Sequence, residues 1–351
     1  MRFPATTSAL LGAALLGLTA CAGPAPGDQP AHPAPEAPSL AILPLQGLVA
    51  EVEDLRLLAT LLREAFESSP ELVGRLVPQE DVERVLAAGR IRIVDTLSPS
   101  VARRIAGELG GVRLLTSSLV FASAEPEPTA AVMLRLYDAS GRRLGSRLWL
   151  RRGSQDQDLF GLNGSDDLDL LFQRGAPRLA EAAFAGFGRL PGGDRPRLAV
   201  FPFESSWEIP ASGPLAGLIA SHLLEEEFGS EVLEPGDLNE AFLAARIRYL
   251  RLAGVEEVKA LGRAAGVRWL VTGSVLDFDF GKGAEATPSV SVVLRVFDVE
   301  SGQTVASTLA QRHGDDGEIL FGAGRADHPI LNLADAIRVG LEELQPTWQG
   351  S

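Results

Sequence analysis

Cysteine is almost missing from this 351-residue chain, where Cys21 stands alone. A single thiol closes no internal disulfide and brings no second sulfur to a thiolate metal site. Lysine is nearly as scarce: Lys259 and Lys282 are the two in the chain, and arginine carries the remaining positive charge. Aromatic residues make up 6%. Acid is in excess, with a formal net charge of −14. That field excludes nucleic acid as a partner and a polybasic membrane face, because both need positive charge toward phosphate. Beyond the first twenty residues no run is long and apolar enough to cross a bilayer. Catalytic signatures are missing too. There is no Gly-x-Ser-x-Gly elbow, and Asp279-Phe280-Gly281 lacks the other kinase motifs. Gly281-Lys282-Gly283 lacks the spacing of a phosphate loop. The sequence therefore assigns no catalytic residue, no metal and no cofactor.

What is present begins at the amino terminus. Arg2 gives a positive start, Ala5 to Leu18 is apolar and too short to span a membrane, and small residues precede the cysteine. This is the pattern of a secretory signal peptide over residues 1–20. The ending Leu18-Thr19-Ala20-Cys21 resembles the bacterial lipobox. That resemblance implies cleavage before Cys21 and lipidation of its thiol, with palmitate among the acyl chains, making a strong membrane anchor. Ala22 in place of an aspartate implies the outer membrane, lipid-anchored and periplasm-facing. Residues 21–39 follow as a tether rich in Pro and Ala, including Pro24, Pro26, Pro30, Pro33, Pro35 and Pro38. Such a segment builds no core and extends at about 3.1 Å per residue.

The remainder says the same thing twice. Leu40-Ala41-Ile42-Leu43-Pro44-Leu45 returns as Leu198-Ala199-Val200-Phe201-Pro202-Phe203, and Arg90-Ile91-Arg92 as Arg246-Ile247-Arg248. Gly111-Val112-Arg113 returns as Gly266-Val267-Arg268, Leu134-Arg135-Leu136-Tyr137-Asp138 as Leu294-Arg295-Val296-Phe297-Asp298, and Leu159-Phe160-Gly161 as Leu320-Phe321-Gly322. The spacing stays within about 155 to 161 positions and the order is kept, which marks a tandem duplication. The Gly- and Pro-rich stretch Gly186 to Pro196 separates residues 40–190 from residues 196–345.

Each copy reads as strand, helix, strand, helix, strand, hairpin, helix, so the expected fold class is mixed α/β, repeated in tandem, with two separately cored copies. Leu55, Leu58, Ala59, Leu62 and Phe66 share one helical face; Leu215, Leu218, Ile219 and Phe228 serve the second copy. Asp81 and Asp237 fall where an acid belongs at a helix start, and Gly110, Gly111 and Gly266 suit left-handed helix ends. Hairpins turn at Ser140-Gly141 and Ser301-Gly302. In the second, Val292, Leu294 and Val296 face one way and Val293, Arg295 and Phe297 the other. Pro177 is expected to restart the last helix of the first copy. The strand after each Gly-Val-Arg turn and the hairpin arms are the expected exposed edges.

The stretches "LAVFPFESS", "GVRWLVTGSV" and "VVLRVFDVESGQTVAS" resemble the periplasmic domain shared by the TolB N-terminal region, the curli secretion lipoprotein CsgG and LpoB-like envelope lipoproteins. The resemblance implies two TolB N-terminal-like or CsgG-like mixed sheets with flanking helices. It is closer in the second copy; in the first, Leu45 replaces the phenylalanine and Ser117-Ser118 replaces Thr272-Gly273. Its motifs are structural, so no catalytic residue carries over. The membrane hairpins of a curli-type pore require strands of about 9–11 alternating residues, and the short strand linkers here add none.

Four histidines and two acidic loops complete the candidates. His32 lies in the tether, and His222 lies near the apolar face of a helix. His313 and His328 flank a stretch bearing Asp315, Asp316, Glu318 and Asp327; its counterpart bears Asp156, Asp158, Asp166, Asp167 and Asp169. Oxygen-rich loops bind Ca²⁺, but the ordered ligand spacing is missing, leaving a solvated acidic loop or a cation site around Asp166 and Asp315. Three functions stay open. The first is an envelope adaptor or assembly factor of the outer membrane, not an enzyme, contacting other envelope proteins. The second is an oligomeric component of a curli-type secretion channel, and the third an unrecognised hydrolase or carbohydrate-binding protein.

Overall fold

The structure, a computed structural model, describes residues 40–47, 52–69, 75–94, 96–125, 127–156, 165, 167–187, 196–205, 212–247, 255–280, 287–316 and 328–349. The signal peptide, Cys21, the tether and His32 lie outside these residues. Pro38–Ser351 forms one compact unit.

The first copy contributes β1 (Leu40–Ile42), β2 (Gln46–Gly47), α1 (Val52–Glu67), α2 (Gln79–Ala88), α3 (Pro99–Glu108), β3 (Arg113–Ser123), β4 (Thr129–Tyr137), β5 (Arg143–Arg152) and α4 (Leu168–Phe187). The second contributes β6 (Arg197–Val200), α5 (Ser212–Glu226), β7 (Glu231–Leu233), α6 (Pro235–Ala245), α7 (Val255–Ala265), β8 (Trp269–Asp279), β9 (Ser289–Asp298), β10 (Gln303–His313), α8 (Pro329–Leu344) and α9 (Pro346–Gln349). Sheet one runs β1-β3-β4-β5, with β2 beside β3; sheet two runs β10-β9-β8-β6-β7. In each sheet the first strand is parallel to the long central strand, and the next two strands are antiparallel. The fold is the mixed α/β class, with two sheets.

Where one helix per copy is expected before the Gly-Val-Arg turn, there are two. The Arg-Ile-Arg motifs mark the break: Arg90 and Arg246 take left-handed φ values of 52° and 56° and end α2 and α6. Bulky residues rarely adopt that conformation, so a helix stops there. Pro177, by contrast, does not restart α4, which runs through it. The helix is already started by Asp167, whose Oδ1 accepts the Leu170 amide at 2.7 Å. Leu171, Phe172, Ala176, Leu179, Ala180 and Ala183 bury one continuous face across the proline and offset the lost backbone donor.

The strands after the Gly-Val-Arg turns are interior rather than edges: β3 lies between β1 and β4, and β8 between β6 and β9. The hairpin arms that are edges are β5 and β10. Sheet register also shifts the repeat by one residue inside these strands. Leu134 faces Ser117 and Leu294 faces Gly273, so Ser117 is the counterpart of Gly273, and Ser118 of Ser274.

Each sheet has one fully covered face. In sheet one Val132, Leu134 and Leu136 pack with α1 and α4. In sheet two Val292, Leu294 and Val296 pack with α5 and α8, as their alternation requires. The opposite faces are covered at one end by α2 and α3 around Leu114 and Tyr137, and by α6 and α7 around Leu270 and Phe201.

Candidate functional site

The remaining part of sheet one's second face is where the two copies meet. Val120, Ala131 and Met133 belong to the same buried cluster as Leu215, Leu218, Ile219 and Leu223 of α5, with Leu148 and Leu150 packed against it. Each copy keeps clusters of its own, around Leu134 and Leu114 in the first and around Leu270 in the second, and at this face the two copies share one. Helix α5 explains why: buried residues run all round it, from Leu215, Ala216 and Leu218 to Ile219, Ala220 and Leu224. A helix apolar on every side is buried on every side. Helix α1, its counterpart, buries only Leu58, Leu62 and Phe66 fully.

An ionic cluster sits beside this core. Arg135, two residues before the end of β4, donates from Nε to Glu234 Oε2 at 2.5 Å. Arg143 reaches Glu225 at 2.7 Å, Asp237 at 3.0 Å and Glu234 at 3.4 Å, and donates to the Val232 carbonyl. Ser146 Oγ donates to Glu225 at 2.8 Å, and Arg147 pairs with Glu226. Glu234 is also the N-cap of α6, closing a capping box with Asp237, so the helix start holds it in place. Burial opposes ionisation of Glu234, but Arg135 and Arg143 outweigh it and bring its pKa down to about 2. For Glu225 burial prevails over Arg143, and its pKa is raised. Burial lowers Arg135's affinity for its proton, and the Glu234 carboxylate more than restores it. Buried charges left unpaired cost several kcal/mol, so this cluster fixes how the copies dock.

Among the described residues no helix lies over the matching part of sheet two, where Val293 and Arg295 are half-buried. Register equates Arg135, opposite Ser146, with Arg295, opposite Ser307, and Met133, opposite Leu148, with Val293, opposite Leu309. Each central strand has a bulge at matching places, leaving Val120 and Leu276 as the extra residues. Val120 is fully buried, whereas Leu276 is 56% exposed and Leu309 53%. Val305, the extra residue of a bulge in β10, is 47% exposed. Among the described residues Arg295 has no ion pair.

The described histidines and acids of the acidic loops do not come together. Asp156 ends a short 3₁₀ turn, Asp167 caps α4, and Asp169 lies in that helix's first turn. Asp316 Oδ2 accepts the His313 amide at 2.8 Å, closing a turn. Asp158, Asp166, Glu318 and Asp327 lie outside the described residues. Among the described residues no three His, Cys, Asp or Glu side chains gather as metal ligands. Burial, the largest influence on His222 of α5, lowers its pKa. His328 is buried as the N-cap of α8, its Nδ1 accepting the Ile330 amide at 3.2 Å. Its ring meets Phe121 at 4.8 Å and Phe280 at 5.3 Å, and burial lowers its pKa to about 4. Phe280 of the Asp-Phe-Gly triplet is thus an aromatic packing residue.

A cleft of about 360 Å³ is lined by Lys259, Arg263, Arg268, Val299 and Glu300. Its cations are already engaged. Lys259 lies 3.5 Å from Glu256, Arg263 donates to the Lys259 carbonyl, and Arg268 sits 3.7 Å from Asp298 and over the Trp269 ring. Among the described residues no helix is long and apolar enough to cross a membrane.

No protein-family model matches the chain, and no curated protein does. Solved structures do. The PelC dodecamer from Paraburkholderia phytofirmans is 20% identical over 43% of this chain and 88% of its own, with a TM-score of 0.32. Lipoprotein GNA1162 from Neisseria meningitidis is 16% identical over 36% of this chain and 86% of its own, at 0.28. The LpoB C-terminal domain from Escherichia coli is 11% identical over 36% and 90%, at 0.25.

Sequence reasoning missed the ionic cluster and the bare face. The signal available was an arginine inside each apolar strand, in "TAAVMLRLY" and "SVSVVLRVF". A charge at a core position needs a partner.

Proposed function

We propose that the chain is a lipid-anchored, periplasm-facing adaptor or assembly factor of the bacterial outer membrane, acting by protein–protein contacts rather than by catalysis. The observation that carries the reading is the asymmetry of the duplicated face. One copy of the surface is buried by a helix, and the other exposes Leu276, Val305 and Leu309 around Arg295. An exposed apolar patch with a charge at its centre suits a partner surface. Lipidation at Cys21 and the proline-rich tether would hold that face at a short distance from the membrane. The reach of a proline-rich tether serves contact with a second envelope protein.

The test is isolation of the acylated protein from its native envelope in mild detergent. A complex with a second envelope protein in fixed proportion is the expected result. A large closed ring of this chain alone, which also releases dye from liposomes, would replace the adaptor with the secretion channel.

A further inference from the structure

The bare face of sheet two has its occupied twin within the same molecule, and the twin shows what fits. On sheet one the cover is an α-helix, α5, apolar where it meets Val120, Ala131 and Met133. Its last turn brings Glu225 to Arg143 and Ser146. A second carboxylate, Glu234, reaches Arg135 from the helix start just beyond β7. Sheet two retains the strand arginine, Arg295, with Ser307 across from it, and apolar residues at the positions of Val120, Met133 and Leu148: Leu276, Val293 and Leu309. It lacks the two edge arginines. The shared Ser-Gly turn aligns Arg143 with Thr304 and Arg147 with Thr308. By register the covered face carries Arg135 and Arg143, with Arg147 reaching Glu226 from a position opposite Leu134; of these the exposed face of sheet two keeps the counterpart of Arg135.

We infer that this face, centred on Arg295, Val293, Leu276 and Leu309, is the docking site for an amphipathic α-helix of another envelope protein, one that presents apolar side chains and a single carboxylate to Arg295.

A second copy of this chain is a poor occupant. Head-to-tail stacking would lay α1 of one molecule on sheet two of the next. The shared Leu-Leu-x-Glu-x-Phe run aligns Leu61-Leu62 with Leu223-Leu224 and so Arg63 with Glu225. The strand preceding each helix aligns Pro78 with Glu234. Both junction carboxylates are thus replaced, one by a cation and one by proline: Arg295 would meet Pro78 where Arg135 meets Glu234, and Arg63, which already pairs with Glu67 at 3.0 Å, stands where Glu225 does. Strand addition along β10 is opposed by the bulge at Val305, which interrupts an edge ladder.

The inference rests on the adaptor reading and is tested apart from it. Benzoylphenylalanine, a photoreactive side chain, replaces Leu309 or Leu276 in the full acylated chain, and Ile93 or Leu243 as exposed positions elsewhere; crosslinking is driven in intact cells and the attached peptide is sequenced. The expected result is an adduct from positions 309 and 276, joined to a helical segment with apolar residues on one face and a carboxylate among them. Arg295→Glu in the same chain should cut its yield at least about tenfold, as loss of a charge-assisted bond predicts, and Arg295→Lys by less than about threefold. An adduct with this chain itself, with a segment lacking a carboxylate, or one insensitive to Arg295→Glu overturns the docking site. Adducts only at positions 93 or 243 overturn it while leaving an adaptor, and none at any position removes both readings.

Discussion

Arg135 and Arg295 occupy one position in two sheets, each opposite a serine of the following strand, Ser146 and Ser307. Only Arg135 has a carboxylate, Glu234 at 2.5 Å, among the described residues. Duplication produced two identical needs, and the fold answers one of them internally. The pairing across the copies explains why Glu234, an uncommon N-cap residue, begins α6: its side chain serves the neighbouring sheet as well as its own helix.

Removing one member of that pair should be costly. Glu234→Gln leaves Arg135 and Arg143 facing a weaker acceptor in a dry site, and truncated buried pairs typically lose about 3–5 kcal/mol. Urea unfolding should show a fall of that order. The paired replacement of Arg135 by Met and Glu234 by Leu should recover much of it, because volume is kept and the buried Arg143 still pairs with Glu225 and Asp237. A Glu234→Gln protein as stable as the parent would mean that the copies dock by apolar contact alone.

Acid should weaken the fold in two windows. His328 has a lowered pKa, about 4 against 6.5, because it is buried between Phe121 and Phe280. A lowered base gives stability that is present above pH 6.5 and lost as pH falls through 4, on the order of 3 kcal/mol. Glu234, lowered to about 2 from 4.5, keeps its contribution above pH 4.5 and loses it toward pH 2. Glu225, whose pKa is raised, works the other way: its contribution is full below pH 4.5 and is lost as pH rises through its folded value. Denaturation midpoints measured from pH 7 to pH 4 should therefore fall mainly through His328. His328→Asn keeps an N-cap acceptor and should flatten that slope while lowering stability at pH 7. A slope unchanged by His328→Asn would assign the acid sensitivity to another group.

The repeat, the mixed α/β class and the alternation of β9 were legible because each is a local pattern of period two, of helical period, or of recurrence. The breaks at Arg90 and Arg246 were not: they depend on a left-handed backbone at arginines, and sequence gives no preference for it there. Nor was the junction. Glu225, Glu234 and Asp237 look like ordinary surface acids on their own helices, and only the docking of sheet one makes them partners of Arg135 and Arg143. The bare face around Arg295 has the same origin. Its residues read like the buried set in the first copy, and what separates the two faces is the helix lying over one of them, not the identity of their residues.

Two departures of the first copy from the second are one packing change. A Cβ on Gly273 would lie 2.6 Å from the ring of Phe203 and 2.5 Å from the Val293 carbonyl oxygen. The counterparts are Ser117 and Leu45, a side chain gained where a ring is lost. Gly273→Ser alone should cost about 1–3 kcal/mol by overpacking. Adding Phe203→Leu should make the double variant more stable than the sum of the single changes implies. A double-mutant cycle with no coupling would separate the two positions.

The anchor gives the last test, and it concerns residues outside the described structure. If the signal peptide is cleaved before Cys21 and its thiol is lipidated, Cys21→Ser removes the acceptor for both steps. The variant should accumulate uncleaved or reach the periplasm without a lipid, and its adducts at position 309 should fall as the face loses its place beside the membrane. The folded body does not depend on the anchor, so its unfolding midpoint should be unchanged. Fractionation and intact mass decide the matter: a mature Cys21→Ser protein still sedimenting with the outer membrane would show that something other than acyl chains holds it there, and the face on sheet two would be the first place to look for that contact.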